Sequence, residues 1–271
     1  MIRTISLNAG KGFFGNFSAT TQLIFANVVF YIISIILLSV YGQTFFEKNI
    51  AITPGIIMQG KSIWTLVTSM FSHVMFFHIF ANMFSLFFIG NFLEKIIGKK
   101  RFLAVYLISG FVGGIFFVLS GLIFNNNIPG VGASGAIFGL IGILAVLVPY
   151  SKIYLIVGPL ILLLVQVIAS PLVPVAIASI FDFAINLIIL IMIFSMFSFN
   201  SSLRKFAVPV QLRMWLLPIV AIVPLVIVGF FVDLPIGNSA HIGGLVVGLL
   251  YGFYLRKKFP NKTKMISRHF H

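Results

Sequence analysis

Three short polar clusters interrupt an otherwise very apolar sequence, and their residue types suit acyl-transfer chemistry. The first is His73, His78 and Asn82, the last two spaced four residues apart and therefore on one face of a helix. The second is Gly132-Ala133-Ser134-Gly135, which follows the turn-forming run Asn125-Asn126-Asn127-Ile128-Pro129-Gly130 and opens an apolar stretch. The third is Asn238-Ser239-Ala240-His241, which opens the last apolar stretch. A hydroxyl, an imidazole and two further donors at one depth would make a serine hydrolase site. His241 would take the Ser134 proton as general base, and His78 and Asn82 would donate to a developing oxyanion. The Ser134 amide, at a helix N-terminus, adds a dipole that favours negative charge. Each fragment alone has a plainer reading. Ser beside Gly commonly just lets helices pack, and a lone membrane His, such as His73, often only bonds a neighbouring helix. It is the set of four at matched depth that points to chemistry.

The elements that carry these residues follow from composition. Of 271 residues 60% are apolar and 8% charged, with mean hydropathy +1.16. Soluble domains carry about 25% charged residues and disordered chains are poorly hydrophobic, so both classes are excluded. The remaining class is an all-α, polytopic transmembrane helical bundle, because each span must satisfy its own backbone hydrogen bonds. Apolar runs fall at 21–42, 73–97, 102–124, 134–150, 152–170, 173–198, 213–233 and 237–255, or about eight spans of the length a bilayer requires. A re-entrant hairpin is an alternative near 149–152 and 170–174. The first run is longer than a signal-peptide core and no A-x-A site follows it, so it is expected to be retained.

The charge distribution orients the bundle. With 1–20 as a cytoplasmic N-terminal segment and the loops alternating, every Lys and Arg except Lys48 and Lys61 falls on the cytoplasmic side, including the basic tail 256–271. Cytoplasmic loops carry such an excess. The net charge of +14 is therefore topology and not a nucleic-acid footprint, although the tail could also attract anionic lipid. The 43–72 connection, with Trp64, Phe45 and Phe46, is too broken to span and is expected to lie in the outer interface. Spans two, four and eight then all run inward, placing His78, Ser134 and His241 in the outer part of the bilayer. Small residues permit close helix approach there: Gly135 with Gly139, and Gly244 with Gly248 and Gly252. Phe138 lies one turn after Ser134, where its ring could stack on His241. The chain has no Cys and no H-E-x-x-H, so neither a metal nor a cofactor is implied.

The segments His73–Met83, Gly90-Asn91-Phe92-Leu93-Glu94, Gly132–Gly139 and Gly237–Gly244 together resemble the rhomboid intramembrane serine proteases. The resemblance covers about 55–150 and 213–255. It implies a Ser134–His241 catalytic dyad without an acid, and an oxyanion held by His78, Asn82 and the Ser134 amide, with Gly132, Gly135 and Phe138 in support. It also implies membrane-protein substrates, single-span or multi-span, cleaved near the outer face of a membrane, here expected to be a prokaryotic cell membrane. Glu94 and Arg101 would be structural groups at the cytoplasmic end.

Two departures stand out. Trp64 is followed by Thr65 where the family often has Arg. Ser134 and His241 are 107 residues apart, roughly double what a six-helix core needs, an excess of about two spans. Phe231-Val232-Asp233-Leu234 resembles the end of the family's penultimate span, so an inserted two-helix hairpin is expected at 152–198. That hairpin holds Asp182 and Asn186, four residues apart, read as a hydrogen-bonding pair to a neighbouring helix or, more sharply, as a substrate-docking feature. Competing functions are a non-catalytic rhomboid relative that binds membrane clients or lipid, and a small-molecule transporter, for which no internal repeat speaks. An aspartyl pair fits badly, because Asp182 and Asp233 would sit at opposite depths.

Overall fold

The computed structural model describes residues 17–197, 200–229 and 237–270. Most of the expected segment 1–20 and the Phe231-Val232-Asp233-Leu234 stretch lie outside the described residues. The chain divides into two compact units, Met1–Leu147 with Pro235–Ile266, and Val148–Leu234 with Ser267–His271.

In the first unit, helix α1 (Ala19–Asn49) starts where its free amides find acceptors. The Ser18 hydroxyl accepts from the Thr21 amide. The Glu94 carboxylate accepts from the Ala19 amide at 2.7 Å, the Thr20 amide at 2.9 Å and the Thr20 hydroxyl at 2.8 Å. An anion on the orphan donors of a first turn also complements the helix dipole. The helix outlasts the expected 21–42 run. Gly42, at φ 77°, interrupts it and the chain then turns helically again to Asn49, since only the apolar pattern, not the helix, weakens there. The 43–72 connection is accordingly structured, with short helices α2 (Pro54–Met58) and α3 (Thr65–Thr68). Trp64 stays half exposed while its indole donates to the Asn49 carbonyl.

Helix α4 (Phe76–Ser85) continues through a π-helical turn (Leu86–Gly90) into α5 (Asn91–Ile97), and α6 (Lys99–Ile123) follows after Gly98. Helix α7 (Ser134–Leu147) is buried at every position from Gly135 onward, as an all-apolar helix at the centre of a bundle should be. The Arg101 guanidinium sits over the Phe259 ring, 5.1 Å from its centroid.

The second unit departs from uniform helix. Residues 152–170 do not form one span. Lys152–Ile156 is a strand, β1, before α8 (Val157–Ala169). After α9 (Val175–Ser195) and α10 (Ser201–Phe206), strand β2 (Pro209–Arg213) pairs antiparallel with β1, Lys152 opposite Arg213 and Ile156 opposite Pro209. Ile153, Tyr154 and Ile156 are β-branched or aromatic, types that suit a pleated pair. The Trp215 amide donates to Pro149 O and the Met214 amide to Ser151 O, so the excursion begins and ends at one place. Helix α11 (Leu217–Gly229) follows. Asp182 on α9 accepts from Gln166 and Ser170, each at 2.9 Å.

Among the described residues four helices are long and apolar enough to cross a membrane, Ala19–Asn49, Phe76–Ile97, Lys99–Ile123 and Val175–Ser195, beside shorter apolar helices. The chain is an integral membrane protein of helical-bundle type. Helix α12 (Asn238–Lys258) carries seven glycine and cationic positions (Gly243, Gly244, Gly248, Gly252, Arg256, Lys257 and Lys258), which lowers its hydropathy. It packs centrally all the same.

Candidate functional site

The glycines of α12 and α7 face each other. A Cβ added at Gly244 would run into the Gly135 carbonyl, and one at Gly248 into that of Gly139. One at Gly142 would lie 2.8 Å from Leu245 O. The first turn of α12 is also held by α6: a Cβ on Gly113 would come 2.8 Å from Ala240 O, and one on Gly135 3.3 Å from the same atom. The Ala240 peptide is thus clamped between two glycines, one residue before His241. Close backbone approach of this kind is what small residues provide where lipid supplies no hydrophobic drive.

The consequence is a contact between residues far apart in sequence. His241 Nε2 lies 2.8 Å from Ser134 Oγ. The Phe138 ring stacks on the imidazole at 4.4 Å between centroids and 19° between planes. His241 is buried, and its Nδ1 makes no hydrogen bond among the described residues. Ser134 is half-buried.

The turn before Ser134 is pinned by the connection after α1. Ile52 and Gly130 exchange backbone hydrogen bonds of 2.9 Å in both directions, and the Gly132 amide donates to Ser69 O at 2.9 Å. Asn127 accepts from the Gly55 amide at 2.6 Å. Gly132 holds φ 134°, outside the range of ordinary side chains. A Cβ there would also meet the His78 ring, 2.7 Å from Cε1 and 2.8 Å from Nε2. His78 therefore lies against the backbone two residues before Ser134.

Asn82 is buried and its Nδ2 donates to the His78 carbonyl at 3.0 Å, the i to i−4 contact that the four-residue spacing permits. The same nitrogen lies 3.2 Å from His73 Nε2. His73, whose plainer reading from the sequence is a bond to a neighbouring helix, is fully buried, edge-on to the His78 ring at 5.0 Å, and receives the Ala133 amide at 3.4 Å. Its involvement had one signal in the sequence, a position in the same polar cluster. Ser134, His241, His78, Asn82, Gly132, Gly135 and Phe138 thus all come to one place.

The family model described as Rhomboid domain matches residues 60–192 and 178–258, which hold Ser134 and His241 respectively. Curated relatives include RHOMBOID-like protein 1 of Arabidopsis thaliana, 44% identical over 96 residues, covering 35% of this chain and 24% of that protein. Putative rhomboid protease YdcA of Bacillus subtilis is 43% identical over 81 residues, 30% of this chain and 39% of the relative. Inactive RHOMBOID-like protein 8 of Arabidopsis thaliana is 39% identical over 84 residues, 31% and 23%. The aligned part of the chain spans well under half the length of each. With a family model matched over more than half its residues, this chain belongs to the rhomboid family.

Proposed function

We propose that this protein is an intramembrane serine endopeptidase, with Ser134 as nucleophile and His241 as general base. The observation that carries the reading is the 2.8 Å approach of Ser134 Oγ to His241 Nε2 beneath the stacked Phe138 ring. Ser134 Oγ attacks the scissile carbonyl carbon while its proton passes to His241 Nε2. The oxyanion so formed is met by the Ser134 amide and by His78 and Asn82. The C–N bond then breaks, and the leaving amine takes the proton from His241. Water attacks the acyl-Ser134 ester, His241 again accepting a proton, and Ser134 is regenerated with release of the new carboxylate. The convergence of acceptor and donor groups from three helices, α4, α7 and α12, supports this sequence of steps.

The substrates are membrane proteins, single-span or multi-span, cut near the outer face. The termini are cytoplasmic, as the positive charges argue, and the setting is a prokaryotic cell membrane. A second reading has a specific motive: one relative bears the name inactive. In that reading the chain binds membrane clients or lipid without cutting. Labelling of detergent-purified protein with a fluorophosphonate probe separates the two. The peptidase reading expects labelling of wild type and none of Ser134→Ala or His241→Ala. Unlabelled wild type, beside an active serine protease that labels in the same detergent, overturns it in favour of client binding.

A further inference from the structure

Among the described residues, His73 is the one buried titratable group beside the site that the proposed chemistry leaves unused. Its Nε2 faces two groups, the Ala133 amide at 3.4 Å and Asn82 Nδ2 at 3.2 Å. A backbone amide can only donate, so Nε2 must present its lone pair, and a neutral ring then carries its proton on Nδ1. The orientation of the Asn82 amide follows without ambiguity. Its NH2 group faces two acceptors, His73 Nε2 and the His78 carbonyl at 3.0 Å, and a flipped amide would set oxygen against oxygen. Both Asn82 hydrogens are therefore engaged. One stays within α4; the other crosses to His73.

Resting on the peptidase reading, we propose that His73 is a positioning residue for the oxyanion donors. One imidazole nitrogen ties α4, through Asn82, to the turn that precedes Ser134, through the Ala133 amide. It thereby sets the spacing between the Asn82 amide and the Ser134 amide. When the tetrahedral intermediate forms, the Asn82 N–H that bonds His73 exchanges that acceptor for the oxyanion and keeps its hydrogen, since the other N–H is committed to the carbonyl one helical turn back. Burial of the ring and its edge-on contact with His78 keep the bridge from reorienting.

The test compares His73→Phe, which fills the ring volume without an acceptor, with His73→Gln, which offers a carbonyl oxygen in its place. Each is made in wild type and in Asn82→Ala, and kcat and KM are measured on a transmembrane substrate alongside thermal unfolding. Deleting an oxyanion donor costs about 10²–10³ in kcat; misplacing one should cost about 10-fold, with KM unchanged. The expected result is that loss for His73→Phe, partial recovery for His73→Gln, and no further loss for His73→Phe in Asn82→Ala. Equal losses in both backgrounds, or none in wild type, would overturn the proposal. A second readout needs no activity: the ¹⁵N shifts of histidine-labelled protein, with His73 assigned by its disappearance in His73→Phe. They should show an unprotonated Nε2 that changes in Asn82→Ala. A protonated Nε2 refutes the bridge even in an active enzyme, whereas failure of wild type to label with fluorophosphonate refutes the peptidase reading and leaves the shifts to decide the bridge.

Discussion

The seam between α7 and α12 yields a prediction whose size can be worked out. In Gly244→Ala the new methyl would lie 2.8 Å from the Gly135 carbonyl carbon, with the carbonyl oxygen nearer still. Unstrained carbon pairs sit about 3.5–4.0 Å apart, so the two helices must part by about 1 Å. His241 is three residues before Gly244 and Ser134 is one before Gly135. A Ser134–His241 separation of 2.8 Å thus grows to about 3.8 Å, beyond hydrogen-bonding reach. A 1 Å misplacement of reacting groups can cost about 10²-fold, and that is the expected loss in the rate of Ser134 labelling by fluorophosphonate. Alanine is the better helix former by about 1 kcal/mol, so any net fall in stability, expected at about 1–2 kcal/mol, is steric in origin. Gly252→Ala is the comparison. Its methyl would meet the Val146 side chain at 2.8 Å, two turns farther from His241, and should disturb stability more than labelling. Wild-type labelling by Gly244→Ala would refute the geometric argument. Parallel losses in both variants that track unfolding temperature would show a general packing defect and not a displaced imidazole.

Other perturbations test separate parts of the molecule. Glu94→Gln replaces one carboxylate oxygen facing the α1 amides with a donor, and should lower unfolding stability by about 2–3 kcal/mol, read by thermal denaturation. Asp182→Asn keeps the oxygen that Gln166 and Ser170 bond; it should cost less than about 1 kcal/mol and leave Ser134 labelling unchanged, whereas lost labelling would revive the docking reading. Because Ser151 O already receives the Met214 amide at 2.9 Å, replacing 152–213 with a short Gly-Ser linker should leave a membrane protein that still labels at Ser134. Absence of labelling in a well-folded excision variant would show that the excursion contributes to the site.

Much of the geometry of the candidate site was legible in the sequence because each residue is expensive where it stands. Polar groups in so apolar a chain need a partner or a purpose, and Ser134, His241, His78 and Asn82 were few enough to be matched by depth. Phe138 followed from helical spacing alone. The partner of His73 was not readable, because the Ala133 amide reaches it across 60 residues of chain and a backbone donor leaves no trace in side-chain identity. Strands β1 and β2 were hidden for another reason. A short apolar run such as Ile153-Tyr154-Leu155-Ile156 has the same composition as a stretch of buried helix, and periodicity does not separate them over so few residues. The prolongation of α1 past Gly42 and the early end of α7 at Leu147 were likewise invisible to hydropathy, which sees solvent preference and not hydrogen-bond continuity.

Helix α7 has 14 residues and is enclosed on every side, which makes it a ruler as well as a wall. At 1.5 Å per residue it is about 21 Å long, some 9 Å short of a hydrocarbon slab of about 30 Å. Its length sets how far Ser134 stands from the other end of the helix, and it cannot be retuned gradually. Each residue added or removed below Ser134 would shift the hydroxyl by about 1.5 Å and swing it by about 100°, away from an imidazole fixed on a different helix. Only changes near a whole number of turns, about 5.4 Å each, would preserve the encounter. The height of the Ser134 hydroxyl relative to the His241 imidazole is therefore quantised by helical pitch.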